Sequence, residues 1–347
     1  MIQVRLAGGG VEVEFQAAAG ITALFGGARA GKTLILDSIA GFAVPAGGRI
    51  LLDDEILFDA ASRVHLPPRR RHCGYVASEW ALFPHMSVRD NLLFPLAGIA
   101  RLERHRRVKE TLERFTLAEA AARLPGELAP AERLRAAIAR ALIGEPRVLL
   151  LDEPAAGFDV AMRAEWLGLL RRVRGETDLP ILLATRDLDT CFEVAGTMLL
   201  LDAGRILQSG SPRKVLDQPA SVEAARLLGI RNLFQAEIVA LDPGRNTSRL
   251  RLESFELAGP YLPGRLRGDR VWLCVEPGRL LASPHDGSKP QANQVPARLE
   301  RAADAPRAVR LEFSGGIVAE VPRHEFERQK DNKEWLVEFP PAALRVL

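Results

Sequence analysis

"FGGARAGKT" occupies residues 25–33. Gly26, Gly31, Lys32 and Thr33 have the Gly-x-x-x-x-Gly-Lys-Thr spacing of a phosphate-holding loop. Such a loop needs a strand entering it and a helix leaving it. "ITALF" (21–25) is a continuous apolar run, as in a buried parallel strand. From Lys32, "KTLILDSIAG" reads as a helix closed by Gly41. The backbone N–H groups of Gly26, Gly27, Ala28, Arg29, Ala30, Gly31, Lys32 and Thr33 are therefore expected to wrap phosphate oxygens, with the helix N-terminus adding its positive end. Lys32 is placed to neutralise the β and γ phosphates, and Thr33 to put its hydroxyl on Mg²⁺. Arg29 stands where such loops more often carry a small residue. It adds either a phosphate contact or backbone strain.

A nucleotide site of this kind needs a carboxylate on the metal, at the C-terminal end of a neighbouring parallel strand. "RVLLLDEP" (147–154) supplies it. Asp152 ends the strand and can hold Mg²⁺. Glu153 follows, points differently, and is free to act as base on the attacking water. "VEVEF" (11–15) alternates like a half-buried strand, and "PILLAT" (180–185) is a further buried one. "RILLDDEILFD" (49–59) and "TMLLLDAGRILQSG" (197–210) read as hairpins. Residues 87 to about 144 are mostly helical by periodicity. Strands alternating with helices imply an α/β domain with a largely parallel sheet.

At 347 residues the chain is too long for one ordinary core, so two domains are expected. No run of about 18 apolar residues occurs, so no helix is expected to span a membrane. "MIQVRLAGGGVEVEF" lacks the basic start and apolar stretch of a signal peptide, which predicts a cytosolic protein. Cys73, Cys191 and Cys274 match no zinc spacing and read as reduced structural thiols. The formal net charge is +3. The arginines in "PPRRRH" (67–72) and "RLERHRRVK" (101–109) lack interleaved aromatics and read as solvated faces, which argues against a nucleic-acid partner.

After about residue 231 helical periodicity fades, and short alternating strands with Gly/Pro turns take over. Asn232, Ala236 and Ile238 recur as Asn293, Ala297 and Leu299, and "WLCVEPGRLL" (272–281) returns as "WLVEFPPAAL" (335–344). A C-terminal domain of two similar β units is the inference. Its arginines Arg245, Arg249 and Arg251 read as surface charges.

Together these motifs resemble the ATPase subunit of an ABC importer, most closely of the molybdate-importer type. "LFDAASRVHLPPRRRHCGYV…LFPHMSVRDNLLF" (57–94) is similar to that subfamily. "GSPRKVLDQPASVEAARLLGIRN" (210–232) resembles its interdomain segment, and the C-terminal repeat resembles its oligonucleotide-binding-like (TOBE-type) domains. The resemblance implies an ATP-binding domain over 1–230, with a helical subdomain at about 87–144, and a β-rich domain over 231–347. It implies ATP and Mg²⁺ as cofactors. It also implies membrane permease subunits, a second ATPase subunit as homodimer or asymmetric pair, an extracellular or periplasmic binding protein acting indirectly, and a place on the cytoplasmic face of the membrane.

In such a family two subunits sandwich ATP between one glycine loop and the other subunit's Leu-Ser-Gly-Gly-Glu/Gln signature. Here that stretch is "LAPAER" (128–133), with Ala129, Pro130, Ala131 and Glu132 at the signature positions. Ala129 has no hydroxyl, Pro130 no backbone N–H, and Ala131 narrows the approach. Ser78, in "GYVASE", replaces the glutamine that senses Mg²⁺ and water. Arg186, in "LLATRDLD", replaces the histidine that contacts the γ-phosphate. "GFD" (157–159) retains the family's loop, ending in Asp159. Val11 lies near the place of the aromatic that stacks on adenine. ATP binding with slow hydrolysis is the expectation. The alternative is a nucleotide-binding regulatory subunit with little or no turnover.

Overall fold

The computed structural model describes residues 1–305 and 308–347. Its chain divides into two compact units, Met1–Val215 and Leu216–Leu347. Residues 216–230, which the change of composition assigns to the first domain, group with the second.

The first unit begins with β1 (Ile2–Ala7), β2 (Val13–Ala17) and β3 (Gly20–Phe25), followed by α1 (Lys32–Ala40). The strands β4 (Gly47–Leu52), β5 (Glu55–Asp59), β6 (Val64–His65) and β7 (Cys73–Val76) come next. Then follow α2 (Val88–Leu93), α3 (Arg101–Arg114) and α4 (Pro130–Leu142). The unit continues with β8 (Val148–Asp152), α5 (Val160–Glu176), β9 (Pro180–Thr185), α6 (Leu188–Val194), β10 (Thr197–Asp202) and β11 (Arg205–Gly210). One sheet has the order β2-β1-β4-β5-β6 and is antiparallel. The other runs β11-β10-β3-β9-β8-β7, parallel except for the β10–β11 hairpin.

Sequence explains both sheets. Every residue of β8 and β9 is buried, as parallel strands covered on both faces require. In β1, Ile2, Val4 and Leu6 are buried while Arg5 and Ala7 are exposed. That period of two is plain in "MIQVRLA", a strand outside the expected set. Between α1 and β8 the sheets share a core that includes Leu24, Ile35, Leu36, Ile50 and Leu150. A second core joins the parallel sheet to the helices around Leu92, Leu134 and Trp166.

Arg71 corrects the reading of "PPRRRH" as a solvated face: its side chain is fully buried. Its Nη1 donates to the carbonyls of Ser38 (2.6 Å) and Ile39 (2.9 Å), and its Nε donates to Leu66 (2.7 Å). The last carbonyls of a helix have no intrahelical partner, and a cation completes them and suits the dipole. The other arginine run, on α3, does lie on a polar face: Arg106 pairs with Glu103 and Glu110, and Arg107 with Glu103 and Glu145. Burial raises all three thiols, Cys73 and Cys191 to about 12 and Cys274 to about 11.

The second unit starts within α7 (Pro212–Asp217), continues through α8 (Val222–Leu227), and is then mainly sheet. Its strands are β12 (Asn232–Asp242), β13 (Thr247–Arg251), β14 (Glu256–Pro260), β15 (Arg270–Val275) and β16 (Leu281–Pro284). After them come β17 (Gln294–Asp304), β18 (Val309–Phe313), β19 (Ile317–Val321), the short α9 (Arg323–Glu327), β20 (Glu334–Glu338) and β21 (Arg345–Val346). Two five-stranded sheets result, β14-β13-β12-β15-β21 and β16-β20-β17-β18-β19. The repeat holds to the residue. The β12–β13 register shifts between Ile238 and Ala240, and the β17–β18 register between Leu299 and Arg301, the equivalent positions of the repeat. A bulge adds twist and bend to each sheet. Both sheets contribute to one core, with Ile238, Leu273, Phe313, Trp335 and Phe339 inside.

Candidate functional site

The glycine loop lies where β3 ends and α1 begins, in the middle of the parallel sheet. Gly26 is required by space: a Cβ there would come within 2.3 Å of the Leu201 carbonyl. Arg29 takes the left-handed conformation (φ 63°) with its side chain exposed, so backbone strain is present at this position. Ala30 is buried, and Val11 is buried beside the loop: a Cβ on Gly31 would meet its Cγ2 at 3.2 Å. Val11 thus packs into the core rather than offering a surface.

Lys32 is buried, and its Nζ donates to the carbonyls of Gly26 and Gly27, both at 2.8 Å. The same Nζ lies 3.1 Å from Glu153 Oε1. Thr33 Oγ1 donates to the Asp152 carboxylate, 3.1 and 3.0 Å from its two oxygens. Asp152 sits one strand further from β3 than expected, because β9 runs between β3 and β8. The first turn of α1 bridges that gap. Glu153 has a left-handed backbone (φ 46°), which turns its side chain away from that of Asp152. Its N–H donates to the Ala184 carbonyl at 3.0 Å.

Arg186 follows β9 and places Nε 2.9 Å from the same Oε1 of Glu153. Two cations thus meet one carboxylate oxygen. Burial opposes ionisation of Glu153, but the bonds from Arg186 and Lys32 outweigh it and hold the carboxyl below its usual range. Burial raises Asp152 instead, with the Glu153 and Asp37 charges acting the same way against the Thr33 hydrogen bond. A hydroxyl and a carboxylate converging at 3 Å are hard oxygen donors of the kind Mg²⁺ takes, so this pair fits the ion. Lys32, aimed with the loop's amides, fits phosphate oxygens.

The remaining candidates are placed differently. Ser78 lies in the loop after β7, exposed, and shares no hydrogen bond with Thr33, Asp152 or Glu153. Asp159 is the N-cap of α5, accepting from the Met162 N–H at 2.8 Å. Ala129 is the N-cap of α4 and Pro130 its first residue, while Ala131 lies within its first turn. The Glu132 carboxylate turns back to accept from the Ala129 N–H at 2.9 Å and lies 3.6 Å from Arg123. The N-terminus of α4 is therefore capped by its own acid. Sequence reading missed Trp80, whose indole reaches the Glu153 loop. Its left-handed backbone and aromatic identity beside Ser78 carried no motif.

Residues 11–156 match the ABC transporter family model. The chain is 37% identical over 284 residues to the molybdenum import ATP-binding protein ModC of Rhodospirillum rubrum, covering 78% of this chain and 76% of that one. The ModC protein of Rhizobium johnstonii is 31% identical over 321 residues, covering 90% and 89%. Among solved structures, CbiO1 of Clostridium perfringens, part of the ABC transporter complex CbiONQ, aligns with TM-score 0.55 at 24% identity, over 65% of this chain and 94% of that one. A dimeric bacterial ABC transporter cassette aligns with TM-score 0.52 at 21% identity, over 61% and 99%. These two likenesses bear on the fold, and the ModC relatives on the family. The chain belongs to the ABC transporter ATPases, within the molybdenum-import ATP-binding proteins.

Proposed function

We propose that this ATPase drives import of molybdate through a membrane permease, by binding and hydrolysing ATP on the cytoplasmic face of the membrane. The observation that carries the reading is the convergence of Lys32, Thr33, Asp152, Glu153 and Arg186 at the C-terminal edge of the parallel sheet. The loop from Gly26 to Thr33 holds the phosphates through its amides. Lys32 exchanges its carbonyl and Glu153 partners for phosphate oxygens. Thr33 and Asp152 would hold Mg²⁺, and the ion when bound would supply positive charge against the phosphates. Glu153 then orients the attacking water and takes its proton. Arg186 stands beside that carboxylate and can donate to the γ-phosphate, with a charge it cannot lose.

The site is completed by a second ATPase subunit, which brings Ala129–Glu132 to the other side of the nucleotide. The permease subunits and a binding protein outside the membrane supply the transport path. Among the described residues no helix is long and apolar enough to cross a membrane, which suits a peripheral subunit. The ModC names support molybdate as the cargo. Co-expression with the permease in vesicles, with ATP inside and labelled molybdate plus binding protein outside, tests the reading. ATP-dependent uptake lost in Lys32→Ala supports it. Turnover without uptake of molybdate sinks the cargo assignment.

A further inference from the structure

Trp80 lies in the loop after β7, outside every role assigned above. Its indole Nε1 donates to the Pro154 carbonyl at 2.8 Å. Its ring packs against Phe158, centroids 5.9 Å apart. Pro154 and Phe158 flank the turn that leads from Glu153 to Asp159. Pro154 directly follows Glu153, and its ring fixes φ at that step, leaving ψ as the rotation through which a pull on its carbonyl acts. Glu153 is left-handed, with its N–H bonded to the Ala184 carbonyl and its own carbonyl accepting from the Ala156 N–H at 3.1 Å. Lys32 and Arg186 hold the Glu153 carboxylate itself, and the indole holds the peptide group that follows it.

The other end of the loop is tied to the helices. Arg140 on α4 donates from Nη1 to the Ala81 carbonyl at 2.8 Å and lies over the Phe83 ring at 5.2 Å. Asn91 on α2 accepts from the Phe83 N–H at 2.9 Å, and its amide donates to the carbonyls of Phe83, Met86 and Ser87 at 3.0 to 3.1 Å. Between these anchors Trp80 and Ala81 are both left-handed, with φ of 61° and 44°. Two consecutive non-glycine residues in that region persist only where surrounding contacts hold them, and such strain concentrates at switch segments. Ser78, by contrast, reaches neither anchor.

We propose that Trp80 is a positioning residue: it links α2 and α4 to the Glu153 loop, so that displacement of those helices moves the catalytic carboxylate. The link passes from Asn91 and Arg140 through Phe83 and Ala81 to the indole, then to Pro154 and Glu153. It rests on the ATPase reading of the Glu153 site.

The test uses the full chain and its Trp80→Phe and Trp80→His variants. Phenylalanine keeps the ring contact with Phe158 and lacks the N–H, while histidine keeps a ring N–H at a similar reach. MgATP turnover, calorimetric MgATP affinity and thermal melting are measured for each. For Trp80→Phe a fall in kcat of about three- to tenfold is expected, the worth of one hydrogen bond, with Kd and Tm unchanged. Trp80→His is expected to recover part of that loss. Unchanged kcat in Trp80→Phe, or a parallel loss of affinity and Tm, overturns the proposal, as does a histidine variant no better than phenylalanine. A second readout needs no turnover: MgATP is expected to change the indole emission of the wild type and not of Trp80→His. A change that persists in Trp80→His overturns the link. A Trp80-dependent change in a wild type that does not hydrolyse ATP upholds the link and sinks the ATPase reading instead.

Discussion

At the scale of single residues, two buried cations do opposite work. Arg71 is built into the fold: it completes the end of α1 and fills the space beside Gly41. A Cβ on Gly41 would come within 2.7 Å of Arg71 Nε, at a φ of 87° that disfavours any side chain. Gly41→Ala is therefore expected to destabilise the first unit by about 1–2 kcal/mol, lowering its melting temperature by about 2–8 °C. An unchanged melt would mean that the Arg71 packing is slack. Lys32 is held for exchange: its three partners are two carbonyls and Glu153, all of which phosphate oxygens can replace. Removing it deletes a side-chain cation bonded into the loop, a charge-assisted bond whose loss weakens binding at least about tenfold. Titration calorimetry of Lys32→Ala with MgATP is expected to show that loss with the melting temperature retained. Equal affinity for the two proteins would remove Lys32 from the phosphate site.

At the scale of elements, the parts bound to a period or a motif were legible and the parts made by tertiary contact were not. The glycine loop, β8, β9 and both hairpins could be read because apolar runs end at glycine or acid. Asp152 and Glu153 could be named, but not the shared oxygen on which Lys32 and Arg186 meet, since Lys32 and Arg186 lie 121 and 33 residues from Glu153 in sequence. Arg71 was misread for the same reason: nothing near it in sequence announces the helix end it caps. Trp80 lay beside a position judged by its motif, and its partner Pro154 is far along the chain. The α4 N-terminus combines both cases. Its altered residues were plain, while its self-capping by Glu132 needed coordinates. Pro130 at the start of α4 offers no N–H, and Ala129 no hydroxyl. Restoring Ala129→Ser, Pro130→Gly and Ala131→Gly, with Arg186→His and Ser78→Gln, is expected to raise kcat more than about tenfold with little change in Kd, because preorganised donors act mainly in the transition state. Steady-state turnover settles it. A natural protein already turning over at about 1 s⁻¹ or faster, within the ordinary enzyme range, would make "LAPAER" a working signature.

At the scale of the whole molecule, the internal repeat of the second unit explains why its halves cannot be parted. Asn232 opens β12 in the first sheet and is fully buried. Its side chain exchanges two hydrogen bonds, both 2.7 Å, with the backbone of Val318 in β19 of the other sheet. Asn293, its equivalent in the repeat, precedes β17 of the second sheet. It exchanges bonds of 2.6 and 2.8 Å with the backbone of Ala258 in β14 of the first sheet, and donates to Phe339 at 2.8 Å. Each half therefore satisfies edge-strand groups of the other, and the two sheets close on one core. Asn232→Ala leaves a buried N–H and a buried carbonyl of Val318 unpaired, at about 1–3 kcal/mol each. For residues 216–347 expressed alone, a β-type circular dichroism spectrum and one cooperative melt are expected, with Asn232→Ala and Asn293→Ala each lowering stability by about 2–4 kcal/mol. The fragment 216–292 is expected to stay unfolded, because it keeps half a core and loses both clamps. A cooperative melt from that fragment would show two independent half-domains. The reciprocal asparagines would then be ornaments of the repeat, and not the contacts that make it one domain.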